Sequence, residues 1–215
     1  TALIPAFQGP RVPEGTYTIR LTKGKEVLEG TVELVADPRN PHPREDRLLQ
    51  QTTALHIYDL LGELTFLTDR AIDLRDQARE RADGLKGRDL ENMDEFADRL
   101  EAFRGTLVVV EGGWISGKEQ LRERLGNLYG AVSGYDGRPT QSQLDRLERL
   151  EAEFDQRQQA FDALLAEVDG FNERLERRDL EPLAPLTRDQ WEADQEGVRG
   201  STSLLASLWM LPLAL

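Results

Sequence analysis

The chain has 215 residues, room for one large or two small domains around a real hydrophobic core. Its net charge of −13 and pI near 4.7 argue against binding DNA, RNA or anionic lipid, which needs Lys and Arg gathered on one face. The absence of cysteine excludes disulfides, thiolate zinc sites and a cysteine nucleophile.

Charged residues make up 31% of the chain and aromatics 7%, and Leu, Glu, Asp, Arg and Ala recur at short intervals in its second half. That composition predicts long solvated helices, hence a mainly helical protein. The chain begins at Thr1 without a methionine or an apolar signal segment, which leads us to expect a processed chain or an excised piece.

Residues 1–38 follow a period of two. In GTYTIRL, Tyr17, Ile19 and Leu21 alternate with Thr18 and Arg20, and TVELV repeats the alternation with Val32 and Leu34 around Glu33. Two half-buried strands are expected, joined by a tight turn over Lys23 to Glu26 that contains Gly24. Two strands alone are marginal, so this hairpin should either complete a sheet or lie against helices. DPRNPHP, Asp37 to Pro43, carries three prolines in seven residues and reads as a linker, with His42 exposed among them.

From about Arg44 to about Ala82 the period becomes helical: Leu60, Leu64, Leu67, Ala71, Leu74 and Ala78 are three or four residues apart. Gly84 and Gly87 end this helix. A second starts near Leu90, with Met93, Phe96, Leu100, Phe103 and Leu107 on one stripe that residues 107–110 continue. Lys118 to Tyr129 carries a shorter face of Leu121, Leu125 and Leu128. The last helix opens with a capping box, Thr140 and Gln143 after Pro139. Its seam runs through Leu147, Leu150, Phe154, Phe161, Leu164, Val168, Phe171 and Leu175, with Arg157 as the lapse. Each helix has one apolar stripe and a charged back, which predicts an antiparallel bundle of three long helices plus a shorter helical segment. The expected organisation is a hairpin over 1–38, a bundle over 39–180 and a tail over 181–215.

Among motifs, LVVVEGGWISGKE carries Gly112, Gly117 and Lys118 at phosphate-loop spacing. Glu119 stands where the magnesium-binding hydroxyl belongs, and no βαβ pattern surrounds the motif, so a helix end followed by a glycine loop is the reading preferred to a nucleotide site. His42 and His56 have no metal-site spacing, and His56 reads as a bundle-edge histidine. Glu148, Glu151 and Glu153 alternate with Arg146, Arg149 and Arg157 as ion pairs along a wet helix face. With no ExxH pair and no GxSxG elbow, no catalytic, cofactor-binding or metal-ligating residue is assigned. SGYDGRPT, Ser133 to Thr140, is glycine-rich, and besides turning the chain it offers Tyr135, Asp136 and Arg138 as an interaction loop. The apolar tail STSLLASLWMLPLAL, interrupted by Pro212, is short for a membrane span, and only Leu204 to Leu215 offers a route to membrane association.

GPRVPEGTYTIRLTKGKE followed by VADPR resembles the strand segment that follows the β-propeller in large bacterial sortilin-like, BNR-repeat proteins often labelled glycosyl hydrolases. LRERLGNLYGAVSGYDGRPT resembles the same family's helix, short loop and D-x-R-P-T run into a terminal helix. The matches span about residues 9–38 and 121–175. The VVVEGG stretch and the tail after Gly200 depart from the pattern. The resemblance implies the end of an Ig-like or fibronectin-like unit followed by helices, in the non-catalytic C-terminal region of an exported, extracytoplasmic protein. Any glycosidase activity would belong to the propeller, and no catalytic residue carries over. The partners it implies are the upstream β-propeller domain or another protein, and the apolar stripes leave a homo-oligomer open.

Overall fold

The computed structural model describes residues 11–110 and 119–195. Gly112, Gly117 and Lys118 of the phosphate-loop motif, and the apolar run after Gly200, lie outside the described residues.

Among the described residues, strands β1 (Gly15–Lys23) and β2 (Glu26–Leu34) pair antiparallel and are followed by helices α1 (Arg44–Ala82), α2 (Arg88–Leu107), α3 (Leu121–Ser133), α4 (Gln141–Leu165) and α5 (Val168–Glu176), with residues 188–195 also helical. The protein is thus mainly helical with an N-terminal hairpin. Two compact units divide the chain, Thr1–Gly62 with Glu119–Phe154 and Glu63–Lys118 with Asp155–Leu215, so α1 and α4 each contribute to both.

The hairpin turns at Gly24, whose φ of 61° suits the first position of a two-residue type II′ turn. Its register places Tyr17 opposite Val32, Ile19 opposite Gly30 and Leu21 opposite Leu28 on one face; Thr18 opposite Thr31 and Arg20 opposite Glu29 lie on the other. The strands are not half-buried as their alternation predicts. Ile19, Leu21, Leu28, Val32 and Leu34 are 36 to 64% exposed, because no described element covers the apolar face.

In the first unit, α1 starts immediately after Pro43, with Glu45 and Asp46 in its first turn where the helix dipole favours them. The core gathers Ile57 of α1, Leu121, Leu125, Leu128, Tyr129 and Val132 of α3, and Leu147, Leu150 and Phe154 of α4. Helix α3 is set by Gln120 and Glu123, whose side chains cap each other's backbone. The expected box at α4 is present: Thr140 N donates to Gln143 Oε1 at 2.8 Å, and Gln143 N donates to Thr140 Oγ1 at 3.3 Å.

In the second unit, Leu64, Leu67, Ala71, Leu74 and Ala78 of α1 join the predicted α2 stripe and Phe161, Val168, Phe171 and Leu175 in the core. Phe103 stacks on Phe161 with centroids 5.4 Å apart, and Phe96 meets Phe171 at 4.7 Å. Two boundaries differ from expectation. Helix α2 stops at Leu107 because Val108 is extended, so the Val108 to Val110 run does not prolong it. The last seam is broken at Ala166 and Glu167, where Glu167 receives two hydrogen bonds from the Arg99 guanidinium at 2.7 and 2.6 Å.

Helix α5 ends in a Schellman motif with Asp179 in the left-handed region: Leu180 N donates to Leu175 O, and Asp179 N donates to Glu176 O. The chain after it is held as a strap. Leu183 is buried, and its peptide groups are matched by both ends of the Asn172 amide. The Gln77 amide does the same for Ala184, at 2.8 and 2.9 Å. Trp191 donates to Asp69 at 2.8 Å, while the Arg188 guanidinium lies 3.9 Å from the Phe66 ring centroid.

Candidate functional site

The glycine-rich loop singled out in the sequence meets the root of the hairpin. Helices α3 and α4 set its two ends, so Tyr135, Asp136 and Arg138 project from a fixed connection. The Asp136 carboxylate pairs with Arg11, immediately before the hairpin. Arg138 donates to Asp46 in the first turn of α1 at 3.1 Å. The Tyr135 ring stands edge-on to His42, with centroids 5.0 Å apart. His42 is therefore half-buried beneath an aromatic ring instead of exposed among its prolines. Gly137 lets the two rings sit this close, since a Cβ there would lie 2.4 Å from Tyr135 Cε1 and 2.8 Å from His42 Cε1 and would displace them.

The first turns of α1 complete the clamp with residues that local sequence pattern does not reveal. Arg47, with only 20% of its side chain exposed, pairs with Glu14 and donates to the His42 carbonyl. Gln51 Nε2 donates to Arg11 O at 2.8 Å, and the buried Gln50 donates to Val132 O at 2.8 Å. In the linker, Arg39 hydrogen-bonds Asp37 and holds its carboxyl below the usual carboxylate range. A groove of about 330 Å³ lies between the arm and α1, lined by Val12, Glu14, Leu34, Val35, Arg47 and Gln51 among others. Its charged groups already hold partners, so it presents no free ligand-binding charge: Arg11 with Asp136, Arg47 with Glu14, Arg39 with Asp37.

One further bond defines the start of β1. Tyr17 Oη donates to Pro13 O, four residues upstream, at 2.7 Å. This fixes the chain's approach to the strand, while Gln51 fixes Arg11 one turn of chain earlier.

The other sequence-derived candidates stand apart from this clamp. His56 pairs with Glu151, and Arg124 donates to Glu153 at 2.6 Å, so these carboxylates reach other helices. Glu119 accepts from Asn127 Nδ2 at 3.0 Å. Arg70 is pressed between Phe66 and Phe161, and burial pushes its guanidinium pKa down. Among the described residues no three His, Asp or Glu side chains converge to hold a metal, and no helix is long and apolar enough to cross a membrane.

What the arrangement presents is an anchored, two-faced β-ribbon. Arg47 was missed in the sequence because it sits in the charged run Arg44 to Arg47 typical of solvated surface, and Glu14 because its partner lies 33 residues away; only the P-E-G before β1 hinted that the strand's approach is fixed. No known protein family, curated protein or solved structure matches the chain.

Proposed function

We propose that the chain is a non-catalytic structural and interaction module that docks through the apolar face of its hairpin. The observation that carries this reading is one-sidedness. Five large apolar side chains of the ribbon share an exposed face, while the helices' stripes are buried within their own units. A contiguous apolar patch of this kind marks an interface.

The resemblance to the region behind the propeller of sortilin-like, BNR-repeat proteins gives the partner its class: the upstream β unit of an exported protein, whose sheet the hairpin would complete. The Tyr17 to Pro13 bond supports this, because in Ig-like sandwiches a tyrosine near the start of a strand bonds back to upstream backbone where the chain turns between sheets. The clamp of Arg11, Asp136, Arg47 and Glu14 then couples the sheet to the helices.

The test is amide exchange of residues 15–34 in the 215-residue chain, alone and extended by the β unit preceding it in its parent polypeptide. Exchange should slow in the extended protein, and the double variant Leu21→Lys, Leu28→Lys should abolish the slowing. Unchanged exchange in the extended protein, or a parent polypeptide without such a unit, would overturn the reading.

A further inference from the structure

Besides its bare face, the ribbon has two open edges among the described residues, because each strand has a neighbour on one side alone. The two-residue turn makes Lys23 and Glu26 a hydrogen-bonded pair, and from there bonded and non-bonded pairs alternate along the register. Leu21 with Leu28, Ile19 with Gly30 and Tyr17 with Val32 therefore bond within the ribbon. The residues between them turn their peptide groups outward: Thr16, Thr18, Arg20 and Thr22 on β1, and Val27, Glu29, Thr31 and Glu33 on β2. No backbone group elsewhere among the described residues takes these outward groups.

Natural sheets block such an edge with proline, a bulge, a short strand or charged side chains. Neither strand contains proline, and the register runs unbroken from Gly15 to Lys23, so charge is what separates the two edges. Strand β2 carries Glu26, Glu29 and Glu33 and no base. Strand β1 carries Arg20 and Lys23 and no acid, and its outward residues other than Arg20 are β-branched threonines that suit a central strand. A further strand would meet a row of carboxylates on β2, but threonines and a cation on β1.

The inner side of β1 already shows what it accepts. Leu28 faces Leu21 and Val32 faces Tyr17 on the apolar face, while Thr31 faces Thr18 and Glu29 faces Arg20 on the other. A strand added to the outer side meets the same side chains. Arg20 binds Glu29 through Nε and Nη2, at 2.8 and 2.7 Å, which leaves Nη1 for a second carboxylate. A third strand also removes the ribbon's main weakness, since two strands are marginal and three with an apolar face are not.

We propose that the outer edge of β1 receives an extended strand of the docking partner, one that alternates apolar residues with hydroxyl residues and places an acid beside Arg20. Main-chain hydrogen bonds to Thr16, Thr18, Arg20 and Thr22 supply the affinity of this strand addition, and the alternation supplies its specificity. It rests on the reading of the hairpin as a docking element and names the edge and the kind of strand that docks.

The probe is the peptide EVLEGTVEL, the sequence of β2, titrated into the isotope-labelled full chain. Its binding should slow amide exchange at Thr16, Thr18, Arg20 and Thr22 at least tenfold and leave Val27, Glu29, Thr31 and Glu33 unchanged. The same peptide with lysine in place of its glutamates should bind at least tenfold more weakly, although the chain's net charge of −13 favours it. Thr18→Pro removes an outward N–H without touching the ribbon's own ladder and should abolish the protection; Thr31→Pro, the equivalent change on β2, should not. The inward amide of Ile19 reports in both variants that the hairpin is intact. The double variant Arg20→Glu, Glu29→Arg keeps the ion pair within the ribbon and should reverse the choice of peptide. Unchanged exchange with peptide in large excess, protection on β2 instead, or protection indifferent to Thr18→Pro would overturn the inference. Molar mass rising with concentration in the chain alone would also overturn it, by assigning the edge to a second copy. Protection of the hairpin by the upstream β unit that survives Thr18→Pro would refute the choice of edge and leave the docking reading in place.

Discussion

Glu101 is the sharpest point at which the second unit can be challenged. Its carboxylate accepts from Arg104 one turn along α2 and from Arg75 of α1, so one acid fastens two helices. The Arg104 hydrogen bond is the largest influence, with burial opposing it and Arg75 adding to it; the carboxyl is lowered from 4.5 to about 2. Converted directly, that shift is about 3 kcal/mol. With 30% of the Glu101 side chain open to water, screening reduces the usable figure to about 1 to 2 kcal/mol. Because the folded-state pKa is depressed, the stabilisation is fully present above pH 4.5 and is lost as pH falls through about 2. Glu101→Gln keeps the shape and removes the charge. Urea unfolding followed by far-ultraviolet circular dichroism should show the variant less stable by about 1 to 2 kcal/mol at pH 7. The gap should narrow progressively from pH 4.5 to pH 2. A gap of the same size at pH 7 and pH 2 would refute the electrostatic account and leave only a packing effect.

Phe161 is fully buried between Phe103 and Arg70, so Phe161→Ala should cost about 3 to 5 kcal/mol in the same unfolding experiment. Gln77→Ala removes both hydrogen bonds to Ala184 and should release the strap at a cost of about 1 to 3 kcal/mol, seen as faster proteolytic cleavage over residues 177–187; Gln77→Glu, which still accepts from Ala184 N, should cleave at an intermediate rate. Gly137→Ala should displace the Tyr135 ring, shifting the His42 ring resonances in NMR spectra, while global stability falls by less than about 1.5 kcal/mol because the exposed tyrosine can swing away.

The helices were legible because burial on one side imposes its period on the sequence. Every α2 stripe residue named from spacing, Met93, Phe96, Leu100, Phe103 and Leu107, is buried. The Thr140 and Gln143 box was legible because capping is local. An equivalent box at Thr187 and Gln190, after Pro185, carries the same signature and went unread because no apolar stripe follows it. The break between α4 and α5 was hidden for the opposite reason: Val168, Phe171 and Leu175 stay in phase with the seam, and the Arg99 hold on Glu167 comes from a distant part of the sequence. The clamp was half legible. Tyr135, Asp136 and Arg138 stood out by loop composition, but their partners Arg11, His42 and Asp46 lie some ninety residues or more earlier in the chain. A sequence pattern with a reach of a few turns cannot pair them.

Exposed apolar side chains alone would say little, since much of any folded protein's surface is apolar. What separates the hairpin from that background is phase. Scattered exposure would place large apolar groups on both faces, yet the polar face holds Thr16, Thr18, Arg20, Thr31, Glu29 and Glu33 with only Val27 among them. A strand pair facing water on both sides gains nothing from such sorting; sorting stabilises only when one face is covered. A two-stranded ribbon is also marginal by itself, and the arginines and glutamines at its root secure its approach without shielding its body. A half-buried arginine and a tyrosine hydroxyl thus fix the direction of a ribbon whose apolar side no described element covers. On the docking reading proposed above, fixed direction with an uncovered apolar face lowers the ordering cost of association.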